Sequence, residues 1–107
     1  MSLKIELTSK FKRKAKALLK KYASFKQELD DLITKLEEDP TYGRAIKHNC
    51  YKIRIAIASK GKGKSGGARA ITHLHITDTK VYLIYIYDKS EQDNISDKDL
   101  LDLIKDL

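Results

Sequence analysis

Residues 51–58 read Tyr-Lys-Ile-Arg-Ile-Ala-Ile-Ala, and this stretch decides the fold. Tyr51, Ile53, Ile55 and Ile57 alternate with Lys52, Arg54, Ala56 and Ala58. Successive side chains of a strand point to opposite faces, so a period of two marks a half-buried strand. One face is apolar and needs a layer packed against it. The other carries Lys52 and Arg54 two residues apart, hence side by side.

The chain before this strand supplies the layer. Phe11, Ala15, Leu18, Leu19 and Tyr22 recur at helical spacing while lysines fill the remaining positions. Ser9 is placed to cap that helix. Ser24 with Gln27 reads as a capping box for a second helix with the stripe Leu29, Leu32, Ile33 and Leu36. Asp39-Pro40 ends it, because the residue before a proline is pushed out of the helical region. Leu3–Thr8 alternates as a first strand. After the deciding stretch, Ser59–Gly67 (SKGKGKSGG) reads as a flexible basic loop, Ala68–Thr77 as a strand, and Lys80–Asp88 (KVYLIYIYD) as a strand apolar on both faces, therefore central. Asp78-Thr79 is short enough for a hairpin. Ser96 with Asp99 caps a last helix whose buried stripe is Leu100, Leu103, Ile104 and Leu107. The order β-α-α-β-β-β-α predicts an α+β fold. A helical hairpin packs on a small, mainly antiparallel sheet, followed by a C-terminal helix, in one domain over residues 1–107. Phe11, Leu18, Leu29, Leu32, Ile53 and Ile55 are expected in the core.

Charge is distributed as unevenly as hydropathy. The net charge is +7, yet residues 41–72 hold eight Lys/Arg and no acid, while residues 27–40 hold six acids and one lysine. A carboxylate-free stretch that also reads as strands gives a positive face suited to a polyanion. No apolar run approaches the roughly 20 residues of a membrane span. The first residues lack the apolar core of a signal peptide, so the reading is cytoplasmic. Cys50 is alone and reads as a buried strand thiol.

Several chemistries are tested against these residues. Gly63-Lys64-Ser65 suggests a phosphate loop, but Ala58 stands where that motif needs its first glycine, and the loop joins two strands rather than opening a helix. His73 and His75 share a strand face, yet no third ligand stands at metal spacing, so no metal and no cofactor are expected. What remains is cationic: Lys52, Arg54, Arg69 and Lys89, at the starts and ends of consecutive strands. Lys60, Lys62 and Lys64 in the loop are expected to grip an RNA backbone, and His73, which shares a strand parity with Arg69, reads as a plain strand residue or as a support beside the RNA.

Three motifs in order, Tyr51-Lys52-Ile53-Arg54, Gly63-Lys64-Ser65-Gly66-Gly67-Ala68-Arg69 and Tyr87-Asp88-Lys89-Ser90-Glu91, resemble those of RelE/ParE-superfamily toxins, in particular the HigB-type RelE branch with its GKSGGxR loop. The resemblance runs over nearly the whole chain. It implies the toxin of a type II toxin–antitoxin system, held inactive by a helix-turn-helix or acidic antitoxin. It also implies cleavage of ribosome-bound mRNA without a metal, through attack of a 2′-hydroxyl on the adjacent phosphodiester. Lys52 and Arg54 match the family's basic pair, Arg69 the arginine opening the next strand, and Lys89 the basic residue after the last strand. Some RNA-cutting relatives carry a tyrosine shortly before the final helix, a region that Ile95 occupies here. The general base is then Lys52 with a lowered pKa, Asp88 or Glu91, or ribosomal RNA. Two alternatives share the fold: a ParE-like toxin binding DNA gyrase, and an inactive RNA-binding relative.

Overall fold

The computed structural model describes residues 4–61, 66–75, 80–105 and 107. Along the chain these form β1 (Lys4–Leu7), α1 (Ser9–Lys21), α2 (Phe25–Glu38), β2 (Arg44–Ala45), β3 (Cys50–Ile55), a single 3-10 turn (Ala58–Lys60), β4 (Ala68–His75), β5 (Lys80–Asp88) and α3 (Asp97–Lys105). The sheet order is β1-β5-β4-β3-β2, with β1 parallel to β5 and the other pairs antiparallel. The expected α+β order holds, with one addition. β2 is two residues long, too short for any periodic signal, and pairs Arg44 with Lys52 and Ala45 with Tyr51. The turn that returns it to β3 places His48 and Asn49 at φ 63° and 58°. Asparagine and histidine are among the side chains that enter this left-handed region most readily.

The sheet has a core on each side. On one, Phe11, Ala15 and Leu18 of α1 and Phe25, Leu32 and Leu36 of α2 pack on Ile53, Ile55, Ala70, Val81, Leu83 and Ile86. On the other, Leu100 of α3 joins Cys50, Ile71 and Ile84, with Ile46, Ile95, Leu103 and Ile104 at the margin. Fully burying one of the valine, leucine, isoleucine or phenylalanine side chains among these contributes about 1.5–3 kcal/mol. Of the expected core residues all are buried except Leu29, which is half-buried.

β5 reads as apolar on both faces because it contains a bulge. Thr72 pairs with Leu83 and Ile71 with Tyr85, leaving Ile84 extra. The parity of the strand therefore inverts. Val81 and Leu83 face the helical hairpin, and after the bulge Ile86 does so, while Tyr82, Ile84 and Tyr85 lie on the α3 side. An added residue reverses the faces of everything beyond it.

The helix ends differ in part from expectation. Thr8, not Ser9, caps α1, accepting the Phe11 N–H on its hydroxyl at 3.3 Å. The same hydroxyl donates to the Leu83 carbonyl at 3.2 Å, so the cap also ties α1 to β5. Ser24 makes no side-chain cap. Its hydroxyl donates to Glu28 and meets Ser59 at 2.9 Å, a tertiary contact that a local pattern cannot reveal. Asp39 ends α2 and Ser96 caps α3 through the Asp99 N–H, both as expected.

Candidate active site

Strand register gathers the cations. Arg54 of β3 pairs with Arg69 of β4, which pairs with Tyr87 of β5. One step along lies a second row: Arg44, Lys52, Ile71 and Tyr85. Directly opposed residues stand with Cβ atoms about 4.5–5.5 Å apart. Both rows alternate with Ile53, Ile55 and Ala70, so they occupy the face away from the helical hairpin. α3 covers that face over Cys50, Ile71 and Ile84 and leaves Arg54 exposed. A cavity of about 410 Å³ opens beside Lys52, walled by Arg44, Lys47, Asn94, Ile95 and Asp97.

Lys52 is half-buried among like charges. Burial first, then Arg44, Arg69, Lys89 and Arg54, pushes its pKa below the ordinary lysine value. Lys52 therefore feels all three other cations singled out in the sequence, and Arg44 in addition. Lys89 follows β5; its N–H donates to the Gly67 carbonyl at 3.0 Å and its ammonium to the Asp93 carboxylate at 2.6 Å. Arg69 is the least accessible of the set, 5% exposed, with Nη1 donating to the Ala68 carbonyl at 3.1 Å. It forms the floor of the row rather than its rim, because β4 has a paired strand on each side.

Two aromatic residues complete the face. Tyr87 is buried, its hydroxyl has no hydrogen-bond partner among the described residues, and burial raises its pKa against the opposing pull of Arg69. Tyr85 lies 5.9 Å from it, ring centre to ring centre. The ammoniums of Lys10 and Lys14 stand 5.8 and 5.3 Å from the Tyr85 ring. Neither lysine was singled out in the sequence. β1 stops opposite Leu83, so the rest of β5 has no strand on that side, and Thr8 at the start of α1 bonds to it instead. Only the dense lysine content of α1 hinted at such a role.

The expected RNA-gripping residues separate. The side chain of Lys60 is 8% exposed and paired with the Asp88 carboxylate, whose own side chain is 1% exposed. It is thus an interior ion-pair partner and not a free phosphate contact. Asp88 shares that interior because the bulge inverted β5. Burial alone would raise the Asp88 pKa, but hydrogen bonds from Lys60, Tyr22 and Ser90 hold it well below the usual carboxylate range. A carboxylate so fully satisfied is a poor base. Lys62 and Lys64 lie outside the described residues.

His73 is 8% exposed and opposes Cys50, with Nδ1 3.6 Å from Sγ. Burial foremost pulls His73 toward the neutral form and pushes the Cys50 thiol up to about 12. The pair belongs to the packed interior, and Cys50 is the buried thiol that its strand position predicted. Among the described residues no group of three or more His, Cys, Asp or Glu is placed to hold a metal. Ile95 packs at the edge of the α3 core. Among the described residues no helix is long and apolar enough to cross a membrane.

Comparison with known proteins agrees with this architecture. Seven chains of solved structures match the fold. One is E. coli toxin RelE in the free state, an arginine-to-alanine double mutant, with a TM-score of 0.62 at 14% identity, covering 100% of this chain and 99% of that one. No curated protein matches the sequence. The family model described as the RelE toxin of the RelE / RelB toxin-antitoxin system matches residues 3–106. With that match over nearly its whole length, the chain belongs to the RelE toxin family.

Proposed function

We propose that the protein is a metal-independent endoribonuclease that cuts mRNA on the ribosome, acting as a cytoplasmic toxin restrained by a cognate antitoxin. The observation that carries this reading is the placement of Lys52, opposite Arg44 in register and beside the Arg54–Arg69 pair, on a sheet face that α3 covers only in part, where burial first and then these cations and Lys89 lower its pKa. A neutral amine is a base, and cations around it attract the phosphate that a reacting 2′-hydroxyl must approach. Lys52 Nζ takes the proton of the 2′-hydroxyl. The O2′–P bond forms, the P–O5′ bond breaks, and a proton from the Lys52 ammonium or water passes to the leaving oxygen. The products are a 2′,3′-cyclic phosphate and a 5′-hydroxyl. Arg54 and Lys89 hold the flanking phosphate oxygens. Arg69 beneath them adds fixed positive charge where the phosphorane gathers its negative charge. The GKSGGxR pattern supports a HigB-type member. The antitoxin is expected to lay an acidic or amphipathic segment over the same positive face.

The test is purified protein with programmed ribosomes, reading mRNA ends. Cuts that require ribosomes and end in cyclic phosphate support the proposal. Intact mRNA together with blocked gyrase supercoiling replaces it with the ParE-like reading, and neither effect with an inactive relative.

A further inference from the structure

Asp88 is a buried charge that the chemistry above does not use. One of its oxygens accepts from the Lys60 ammonium, the Ser90 hydroxyl at 2.7 Å and the Ser90 N–H at 2.9 Å. The other accepts from the Tyr22 hydroxyl and lies 3.6 Å from the Lys21 ammonium. Its backbone carbonyl accepts from the N–H groups of Glu91 and Gln92. These donors come from four places: the end of α1, the 3-10 turn Ala58–Lys60, the turn after β5, and the residues beyond it.

Those places frame the cationic face. Lys60 ends the 3-10 turn that follows β3. Gly67 precedes β4, held by the Lys89 N–H, next to Ala68, which pairs with Asp88 in register. No side chain fits at Gly67, since a Cβ there would lie 1.9 Å from the Ile55 carbonyl oxygen. Lys89 is the residue between Asp88 and Ser90. We propose that Asp88 is a positioning residue, whose buried carboxylate, tied to Lys60, Tyr22 and Ser90, sets where Lys89, Lys60 and Gly67 stand relative to Arg54 and Arg69. This rests on the ribonuclease reading for its effect on cleavage, but not for its effect on geometry.

The charge is needed for this. In Asp88→Asn one acceptor becomes an NH₂ that faces donors, and the Lys60 ammonium loses its counter-charge in a site that water barely reaches. Lys60 must leave, and the 3-10 turn Ala58–Lys60 shifts with it.

Two readouts test the proposal. The first is the Lys52 titration in full-length protein, followed by NMR of its side-chain nitrogen. Burial and Arg44 lower that pKa most, with Arg69 and Lys89 after them, so the part of it that changes on substitution of Asp88 reports how near Lys89 and Arg69 stand, and it does not respond to a loss of overall stability in protein that stays folded. In Asp88→Asn it is expected to move toward the ordinary lysine value, and in Asp88→Glu to return part of the way. The second readout is single-turnover cleavage on saturating ribosomes, expected to fall about ten- to a hundredfold, the scale of a misplaced group, with KM little changed. If Asp88→Asn fails to fold, Tyr22→Phe and Ser90→Ala each remove one bond and are expected to give smaller shifts in the same direction. Folded variants with wild-type Lys52 titration and wild-type cleavage overturn the proposal. If the wild-type protein cuts nothing, the ribonuclease reading fails and the titration alone decides the positioning role.

Discussion

Lys52 and Lys60 lie in the same carboxylate-free stretch of sequence, and the fold treats them oppositely. Lys60 is drawn inside, where the Asp88 carboxylate pairs with it and a phenol and a serine donate to the same carboxylate. Lys52 stays half-buried among cations that, after burial, lower its pKa. A buried charge without a partner is costly, so a positive group that serves structure is compensated. Cations crowded around a lysine disfavour its charged form, and an arriving polyanion relieves that repulsion. Local sequence alone does not separate the two lysines; the placement of Asp88 does.

The contrast is broken most severely at Lys52 itself. Lys52→Met removes the proposed base while keeping the aliphatic stem. Cleavage is expected to fall about 10²–10⁴-fold with thermal stability unchanged or raised, because repulsion is relieved. Its pH profile sharpens the point. The wild-type rate should climb with pH up to a midpoint below the ordinary lysine pKa, and that limb should vanish in Lys52→Met. A profile identical in both proteins removes Lys52 from the chemistry.

Arg69 comes next. Arg69→Ala is expected to lower cleavage about a hundredfold, the scale for losing one charge-stabilising donor. It should also lower the melting temperature, because the side chain is buried. Arg69→Lys keeps the charge but not the planar fork, and should recover stability more than rate. Recovery of both would reduce Arg69 to a point charge.

Asp88 sets the acid limit. Its folded pKa lies below the unfolded value of about 3.9, so its contribution to stability is present above that pH and is lost as pH falls through the folded pKa. Asp88→Asn should therefore be less stable than wild type near neutrality, with the difference shrinking as the medium becomes acid below about pH 4. Melting temperature against pH measures this, and parallel curves would contradict it. The smallest effect is expected from Lys10→Ala with Lys14→Ala. Binding to RNA should weaken modestly and lose about one to two units of its salt slope.

Much of the fold was legible because burial on one face leaves a period. The alternation of residues 51–57 fixed the phase of β3, and with it the side on which Lys52 and Arg54 stand. Asp39-Pro40 and the Ser96–Asp99 cap set helix ends by local chemistry. What escaped depends on neighbours distant in sequence. The bulge at Ile84 is hidden in an apolar run, since Ile84 and Tyr85 are both acceptable on either face. That one extra residue turned Asp88 inward and took Lys60 with it. The burial of Arg69 follows from β4 having a strand on each side. The lysines of α1 reach the site only because β1 is four residues long and exposes the far half of β5.

The pairing of residues 4–7 with 80–83 closes the sheet between segments made at very different times. Long-range pairing of this kind is slow, because loop entropy is lost before any contact is gained. β5 lies between β1 and β4, and it also carries Tyr87, Asp88 and the turn that presents Lys89. Until it has been synthesised and has docked, Arg54 and Arg69 have no wall beside them and Lys60 has no counter-charge. On the ribonuclease reading, a nascent chain therefore lacks the assembled cationic face until the fifth strand is in place.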